Sequence, residues 1–496
     1  MKKKTLTILL ILFYGFFLFS QTPNTIHGLI LDSHTEKPLP YANIVVLHKK
    51  TGTISNESGY FSINTVNLNP NDTLSIQYIG YKTLNIILSK IDSNATIHLK
   101  EDIINLSETL IFSDPPEARF IVKQILNHKE ENYKVYSAKR QCFIRRRLIS
   151  DINKMKIKLK RNDIPKINKK LLKTFEEKIP KHNISYTDLL GTIYFSKNFL
   201  DSIKLKPIKT VSLKEKEVTD LDEFEKIFNN LFSNTKEKEY WKIKTGIFSQ
   251  KINIESDDEK DTITSEKDPH SFKNKTHYYN ETIKEQLKYT SFENNDEWEF
   301  LHKTNKYNYT LIGGTSISGE DVYIIDFSPK KSGVYYGRMF VSINNFALIR
   351  ADYEYEKGKL GSNFNILGVG YAVNHFSGSV FFEKRNNNYI LKYFSKKEST
   401  RLSFERNISL IKKRERFLFD KELFEVKVKM NFAVNNQESF ELLFLNEKPI
   451  TEQDFRNSKE PKEIKITLVN KFDEQLWKDY PIIEPTQNMK EYQKKE

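Results

Sequence analysis

Apolar and polar positions alternate along most of this chain, in short runs near its start and in longer runs in its second half. Ile26-His-Gly28-Leu-Ile-Leu-Asp32, Ala42-Asn43-Ile44-Val-Val46 and Phe61-Ser-Ile63 each place apolar groups on one face of a strand. The breakers between them are turns. Gly52, Gly59 and Gly80 supply backbone conformations that side chains disfavour, and Pro38 and Pro40 stiffen the loop that feeds the second strand. Short strands at this spacing predict an antiparallel β-sandwich of about 80 residues.

The pattern then changes. Asp114-Pro115-Pro116-Glu117 has the form of a capping box with prolines in the first helical turn, and Ala118, Ile121, Val122, Ile125 and Leu126 follow at helical spacing towards Asn132. A domain boundary is therefore expected near Ser113. From Tyr136 to Leu159 the chain reads as strand, with Met155, Ile157 and Leu159 alternating with Lys154, Lys156, Lys158 and Lys160. Asp163-Ile-Pro165 predicts a second helix bearing Ile167, Leu171, Leu172 and Phe175 and stopped by Pro180. Asp220-x-x-Glu223 predicts a third, with Leu221, Phe224, Ile227, Phe228, Leu231 and Phe232 on its apolar side. Residues 255–268 read as a solvated acidic loop without the glycine of a calcium loop. A further helix is expected over Asn280 to Tyr289. After Trp298 come long strands: Tyr307 to Ile312, Val322 to Phe327, Tyr335 to Ile343, Ala347 to Tyr355, Val380 to Phe394 folded over Asn386-Asn387-Asn388, Phe424 to Phe432 and Ile464 to Val469. Gly313-Gly314 and the Gly358, Gly361, Gly368, Gly370 cluster read as bends, since no helix signal follows them. The expected class is mainly β with α+β: a seven-stranded-type sandwich, then a larger domain with a curled antiparallel sheet and a few helices. The expected boundaries are 1–20, 21–112, 113–135 for the linking helix, and 136–496.

Composition narrows the class. At 496 residues the chain is too long for one ordinary core, and its 25 Tyr and 35 Phe lean towards sheet. Lys2-Lys3-Lys4 followed by an apolar run from Leu6 to Phe19 forms an export signal, too short for the ~20 residues of a membrane span, with Ser20 as the small residue before cleavage. Removing those three lysines takes the formal charge from +14 to +11. A basic exported chain points to an anionic surface, lipid or glycan, and away from nucleic acid. Cys142 is the single cysteine, so no intramolecular disulfide is expected. Beside Arg145-Arg146-Arg147 it could be an activated thiol, but Phe143 and Ile144 favour a buried strand position.

Two resemblances add to this reading. Gly28-Leu-Ile-Leu-Asp32, Pro38-Leu39-Pro40-Tyr-Ala42-Asn43-Ile, Gly52-Thr53-Ile-Ser55-Asn56-Glu-Ser-Gly59-Tyr-Phe61 and Gly80-Tyr81 resemble the carboxypeptidase regulatory-like domain, a transthyretin-like sandwich. Ser55-Asn56 stands where that family usually has Thr-Asp. The resemblance implies a non-catalytic accessory module of the kind that opens exported envelope proteins. More loosely, Val322 to Phe327, Tyr336 to Ile343 and Ala347 to Arg350 resemble the half-barrel repeat of lipoprotein-carrier-like envelope proteins. Phe472 to Pro485 resembles the tails of exported proteins with the same front sandwich, some of which append an outer-membrane barrel that is not expected here.

No Gly-x-Ser-x-Gly, Walker loop or His-Glu-x-x-His string occurs, and the two His-x-x-Glu strings, His98/Glu101 and His128/Glu131, lack a zinc-enzyme context. Paired carboxylates such as Asp321/Asp326 and Asp352/Glu354 fall on strands, where solvent-facing charge is the default. No catalytic, metal or cofactor residues are therefore assigned, and a zinc carboxypeptidase-type hydrolase is the least favoured alternative. The expected function is a non-enzymatic binding or adaptor module of the periplasm or outer-membrane periphery, with outer-membrane proteins, lipid or glycan as partners. Its candidate contacts are Lys154, Lys156, Lys158 and Lys160 for an anionic surface. A carrier alternative would use an apolar groove of Tyr323, Ile325, Phe327, Phe340 and Leu348, closed by Phe224, Phe228 and Phe232. A packed core made of the same residues is the competing reading.

Overall fold

The structure, a computed structural model, describes residues 25–49, 51–102, 116–197, 203–214, 236, 238–246, 248–252, 271–317, 319–477, 480 and 482–492. The expected export signal, the Asp114 capping sequence, the helix expected from Asp220 and the expected acidic loop 255–268 lie outside these residues. The chain divides into two compact units: Met1–Ile103 with Asp473–Thr486, and Ile104–Phe472 with Gln487–Glu496.

The first unit holds β1 (Thr25–Asp32), β2 (Asn43–Val46), β3 (Gly52–Ile54), β4 (Tyr60–Asn64), β5 (Thr73–Gln77), β6 (Leu84–Ile87) and β7 (Asn94–Leu99). They form two sheets, ordered β4-β1-β7 and β3-β2-β5-β6, with β1 and β7 parallel. The alternation read from the sequence is the burial pattern observed: Ile26, Ile30, Ile44, Phe61, Leu74 and Ile76 meet in one core. The motif glycines have steric reasons. Gly28 lies opposite Phe61, and a Cβ there would sit 2.3 Å from the Phe61 ring. Gly59 has φ +79°, and its N–H closes a turn onto the Asn56 carbonyl at 3.0 Å. Ser55 pins the proline loop, its hydroxyl donating to the Leu39 carbonyl at 2.8 Å and accepting from Ala42 N–H at 2.9 Å. Asp32 is buried and accepts from the Tyr81 hydroxyl at 2.6 Å and from the His34 and Thr35 N–H groups at 2.9 and 2.6 Å.

Residues 473–486, which the sequence places with the larger domain, pack instead with the sandwich. Ile483, Glu484 and Pro485 are buried there, an outcome of contacts that join residues more than four hundred positions apart.

In the second unit the strands are β8 (Ala138–Asn162), β9 (His182–Phe195), β10 (Ile203–Lys214), β11 (Glu239–Thr245), β12 (Phe248–Ile252), β13 (Ser271–Lys275), β14 (Tyr307–Ile317), β15 (Glu320–Pro329), β16 (Tyr335–Ser342), β17 (Leu348–Tyr355), β18 (Asn363–Ile366), β19 (Val369–Arg385), β20 (Asn388–Arg414), β21 (Lys421–Pro449) and β22 (Glu463–Val469). All belong to one curled sheet, ordered β13-β22-β10-β9-β8-β21-β20-β19-β17-β16-β15-β14, with β11 added beside β20, β12 beside β11 and β18 beside β19. Its central strands β8, β20 and β21 run 25, 27 and 29 residues; β8 lies close to the expected Tyr136 to Leu159, whereas β20 and β21 run far beyond the expected Val380 to Phe394 and Phe424 to Phe432. Bulges near Lys412, Ala433 and Phe444 bend them and break the period that the eye follows.

The helices are α1 (Ala118–Asn127), α2 (Lys129–Asn132), α3 (Lys169–Lys178), α4 (Thr276–Leu287), α5 (Glu299–His302), α6 (Glu452–Asn457) and α7 (Gln487–Lys490). The observed start of α1 has Glu117 at its N-cap without a side-chain cap. α3 begins four residues after Pro165 because Asn168, not Asp163, caps it, accepting from Leu171 N–H at 2.9 Å. α4, by contrast, starts earlier than expected, at Thr276. The glycine readings hold in part: Gly358 and Gly368 have φ +85° and +79° in turns and the Leu311/Gly313 step is a bulge, whereas Gly314 and Gly370 lie within paired strands β14 and β19.

Candidate functional site

The pleat of β8 resolves the lysine row. Lys154, Lys156 and Lys158 are exposed on one face and neighbour Ala433, Asn431 and Lys429 of β21. Lys160 is also exposed but falls at a bulge between Leu159 and Arg161, opposite the Lys427/Val428 step. The opposite face carries Leu159, Val426, Val428, Leu410 and Trp241, which pack with Ile167 and Leu171 beside α3. β8 pairs with β9 only as far as Asp151; past that point Glu176 of α3 accepts the Ile157 N–H. The lysine stretch is thus an edge that a helix covers, and its lysines line the face α3 leaves open. Lys429 is held by Glu405 at 2.9 Å, and that contact depresses the Glu405 carboxyl.

The proposed apolar groove is different in kind. Tyr323, Ile325 and Phe327 share one face of β15, but Phe340 pairs with Ile324 and so lies on the other. The shared face is filled from the chain that precedes β14: Phe300 stacks on Phe327 at 4.7 Å and packs on Tyr353 at 4.9 Å, and Trp298 and Phe292 meet edge to face at 4.9 Å. Tyr323, Ile325, Phe327, Phe340 and Leu348 are all buried. These five residues form packed core. Phe224, Phe228 and Phe232 lie outside the described residues.

Further along the same face, neighbouring strands align a row that sequence reading missed. Tyr335 faces Tyr355, while Phe376 faces Glu398, which faces Glu438 of β21. Tyr353 fits between Gly337 and Gly378, where a Cβ at Gly378 would come within 2.6 Å of its ring, and Trp298 Nε1 donates to its hydroxyl at 3.1 Å. Buried Lys396 donates to Glu398 at 2.9 Å and lies 4.5 Å over the Tyr289 ring. Burial pushes the Glu297 carboxyl above its ordinary range, with Glu398 adding to the rise. Carboxylates displaced in this way are a common mark of acid/base sites, yet here Lys396 is paired with Glu398 and offsets part of the rise at Glu297. The density of tyrosine over 335–355 was the signal available in the sequence.

The remaining candidates are dispersed. Cys142 is fully buried opposite Gly191, and burial raises its thiol well above the reactive range. The arginine run beside it is divided by the pleat. Arg145 forms a buried two-bond pair with Asp188 at 2.8 and 2.7 Å, whereas Arg146 reaches Glu438 at 2.6 Å. His98 contacts Glu36 at 3.1 Å and His128 contacts the Gln124 carbonyl at 3.0 Å. Asp326 and Asp352 are engaged by Arg338 and Arg350. Among the described residues no cluster of three His, Cys, Asp or Glu has metal-site geometry, and no helix is long and apolar enough to cross a membrane.

In the first unit, Asn56 works in both directions. Its Oδ1 accepts from Ser58 and Tyr60 N–H at 2.9 and 3.0 Å, shaping the turn. Its Nδ2 donates to the Glu484 and Pro485 carbonyls at 3.1 and 3.3 Å, and Thr53 donates to the Ile482 carbonyl at 3.2 Å. An aspartate at this position could shape the turn but could not donate to the returning segment.

No curated protein matches the chain. Among solved structures, the MucA/MucB complex of Pseudomonas aeruginosa aligns over 64% of this chain and 93% of its own, at 7% identity and a TM-score of 0.16. A putative membrane-associated protein of unknown function from Bacteroides fragilis aligns over 85% and 97%, at 10% identity and a TM-score of 0.12. A type II cohesin–X-dockerin complex from Acetivibrio cellulolyticus aligns over 23% and 76%, at 12% identity and a TM-score of 0.14. Scores this low carry no argument about function. Residues 26–111 match the CarboxypepD_reg-like domain model, and the front of this chain is accordingly a carboxypeptidase regulatory-like β-sandwich.

Proposed function

We propose that this chain is a non-enzymatic exported envelope protein, a binding module that works against an anionic surface through the lysine face of its large sheet. The carrying observation is the placement of Lys154, Lys156 and Lys158 beside Lys429 on a sheet face, with Lys158 and Lys429 direct cross-strand neighbours. Glu405 offsets the charge of Lys429, but the exposed lysines of β8 that share its face fit a task outside the fold. Cations held on rigid strands attract the phosphates of lipid headgroups or lipopolysaccharide. Delivery to that surface is the role of the export signal in residues 1–20. The filled face at Phe300 and Phe327 favours this reading over carriage of an acyl chain.

The test is co-sedimentation of the mature chain with vesicles of equal parts phosphatidylglycerol and phosphatidylcholine across a salt series. Binding should weaken steeply with salt and should fall in a Lys154/Lys156/Lys158→Gln variant. Salt-independent binding, or an unchanged variant, sinks the reading. Cell fractionation that leaves the intact chain in the cytoplasm would defeat the location.

A further inference from the structure

Among the described residues β20 and β21 are the two longest strands, and the loop joining them, Glu415-Arg416-Phe417-Leu418-Phe419-Asp420, carries its three large apolar side chains into solvent. Phe417, Leu418 and Phe419 are 101%, 78% and 86% exposed. Single exposed apolar residues are ordinary on protein surfaces, but three in succession at the end of a long hairpin are not. They have no packing role in the fold.

The collar beneath them carries more basic than acidic side chains, and its acids are engaged. Glu415 is held by Lys251 at 2.9 Å, Asp420 accepts from the Tyr240 hydroxyl, and Glu422 lies 3.4 Å from Arg161. Below these, Arg414 and Lys412 both bind Glu239, at 2.6 and 2.9 Å, and hold its carboxyl down at about 2. Lys413, Arg416 and Lys421 stand in the same collar. Tyr240, with Lys251 over its ring at 4.0 Å, adds an aromatic group of the kind enriched at membrane interfaces.

We infer that the Phe417-Leu418-Phe419 tip inserts into the interfacial layer of an anionic lipid membrane, with the basic collar seated on the headgroups. The inference deepens the surface-binding reading and rests on it. A protein interface normally needs about 800 Å² on each side with a flat, well-packed centre, which a three-residue projection does not offer. A bilayer accepts a narrow apolar projection whose flanks are cationic. The lysine face lies on the same arm, since Lys427 and Lys429 of β21 lead directly towards the tip.

The experiment uses the full mature chain and the same mixed vesicles, with pure phosphatidylcholine vesicles as the comparison. In a Phe417→Trp variant, fluorescence should shift to the blue on adding anionic vesicles and be quenched by brominated acyl chains; Trp241, Trp298 and Trp477 are already buried and contribute little change. Replacing Phe417, Leu418 and Phe419 together by Ser should lower the partition coefficient at least about tenfold while leaving the melting temperature unchanged. If the introduced indole keeps its water emission on vesicles that bind the protein in a salt-dependent way, insertion is wrong and surface binding stands. If no vesicle binds, both fail. If the triple Ser variant keeps full vesicle binding, or loses a stoichiometric protein partner instead, the lipid assignment is overturned.

Discussion

The two units of this protein solve the same problem, holding sheets together, by different means. The sandwich uses strands of three to eight residues and places its specificity in turns and one close strand contact: Gly59 at positive φ, Ser55 tying Leu39 to Ala42, Asp32 gathering Tyr81, His34 and Thr35, and Gly28 of β1 against Phe61. The large sheet uses strands of up to 29 residues and places its specificity in pairs between strands, such as Arg145 with Asp188 and Lys396 with Glu398. Short strands with many turns are fixed by local geometry. Long strands can slide, and buried charges that must meet are one device against slippage.

If that contrast is right, the largest effect belongs to the large sheet. Asp188→Ala leaves the Arg145 guanidinium buried without its partner and should destabilise that unit by about 3–5 kcal/mol, read from its urea transition. The Arg145→Met/Asp188→Leu pair should recover most of the loss. A single replacement that costs no more than a surface change would remove the basis of the comparison.

Next is a pH effect in the sandwich. The Tyr81 hydroxyl, followed by the Thr35 N–H, holds the Asp32 carboxyl well below the usual carboxylate range. Its folded pKa is therefore depressed, so its stabilisation is complete above the unfolded value of about 3.9 and is lost as pH falls towards the folded value. Tyr81→Phe should lower stability at neutral pH by about 1.5–3 kcal/mol and flatten the acid limb of the stability profile, measured by thermal melts from neutral to acid pH. An unchanged acid limb would show that the turn network does not carry this unit.

Gly28→Ala tests the turn and strand sterics directly. The added methyl meets the Phe61 ring and should cost about 1–3 kcal/mol through overpacking, with partial recovery in Gly28→Ala/Phe61→Leu by calorimetry. The smallest effect is expected from Asn56→Asp, which keeps the turn acceptors but sets a carboxylate against two carbonyls. It should cost about 1 kcal/mol and speed hydrogen exchange over 482–486 while leaving exchange in the large unit unchanged. Equal protection in wild type and variant would mean that the Asn56 amide does not hold the returning segment.

The same contrast explains what could be read from the residues alone. Turn chemistry is local, so Pro38, Pro40, Gly59 and Gly80 disclosed the sandwich. In the large unit the strands at Tyr136, Tyr307, Val322, Tyr335, Ala347, Val380, Phe424 and Ile464 were visible, β20 and β21 not at their full length because bulges at Lys412 and Ala433 shift the alternation, and β9 to β13 and β18 were not read from the sequence. The Tyr335–Tyr355 and Phe376–Glu398 rows belong to strands distant in sequence, and only the register brings them together. The apolar strand positions at Tyr323 and Phe327 were legible as lining; that Trp298 and Phe300 fill the face was not, because nothing in the alternation shows what covers a sheet. The departure from the family pattern at Asn56 was the one local trace of the returning tail.

That return has a consequence in time. Translation at about 5–20 residues per second separates Asn56 from Glu484, its partner 428 positions later, by roughly 20–90 s. Until then the strands of the sandwich can pair, but the Asn56 amide has no carbonyl to donate to, and the ground beneath Ile483 stays wet. A chain moved through a membrane from its first residue onward meets the same delay. The front of the molecule, first to emerge, is among the last parts to be sealed.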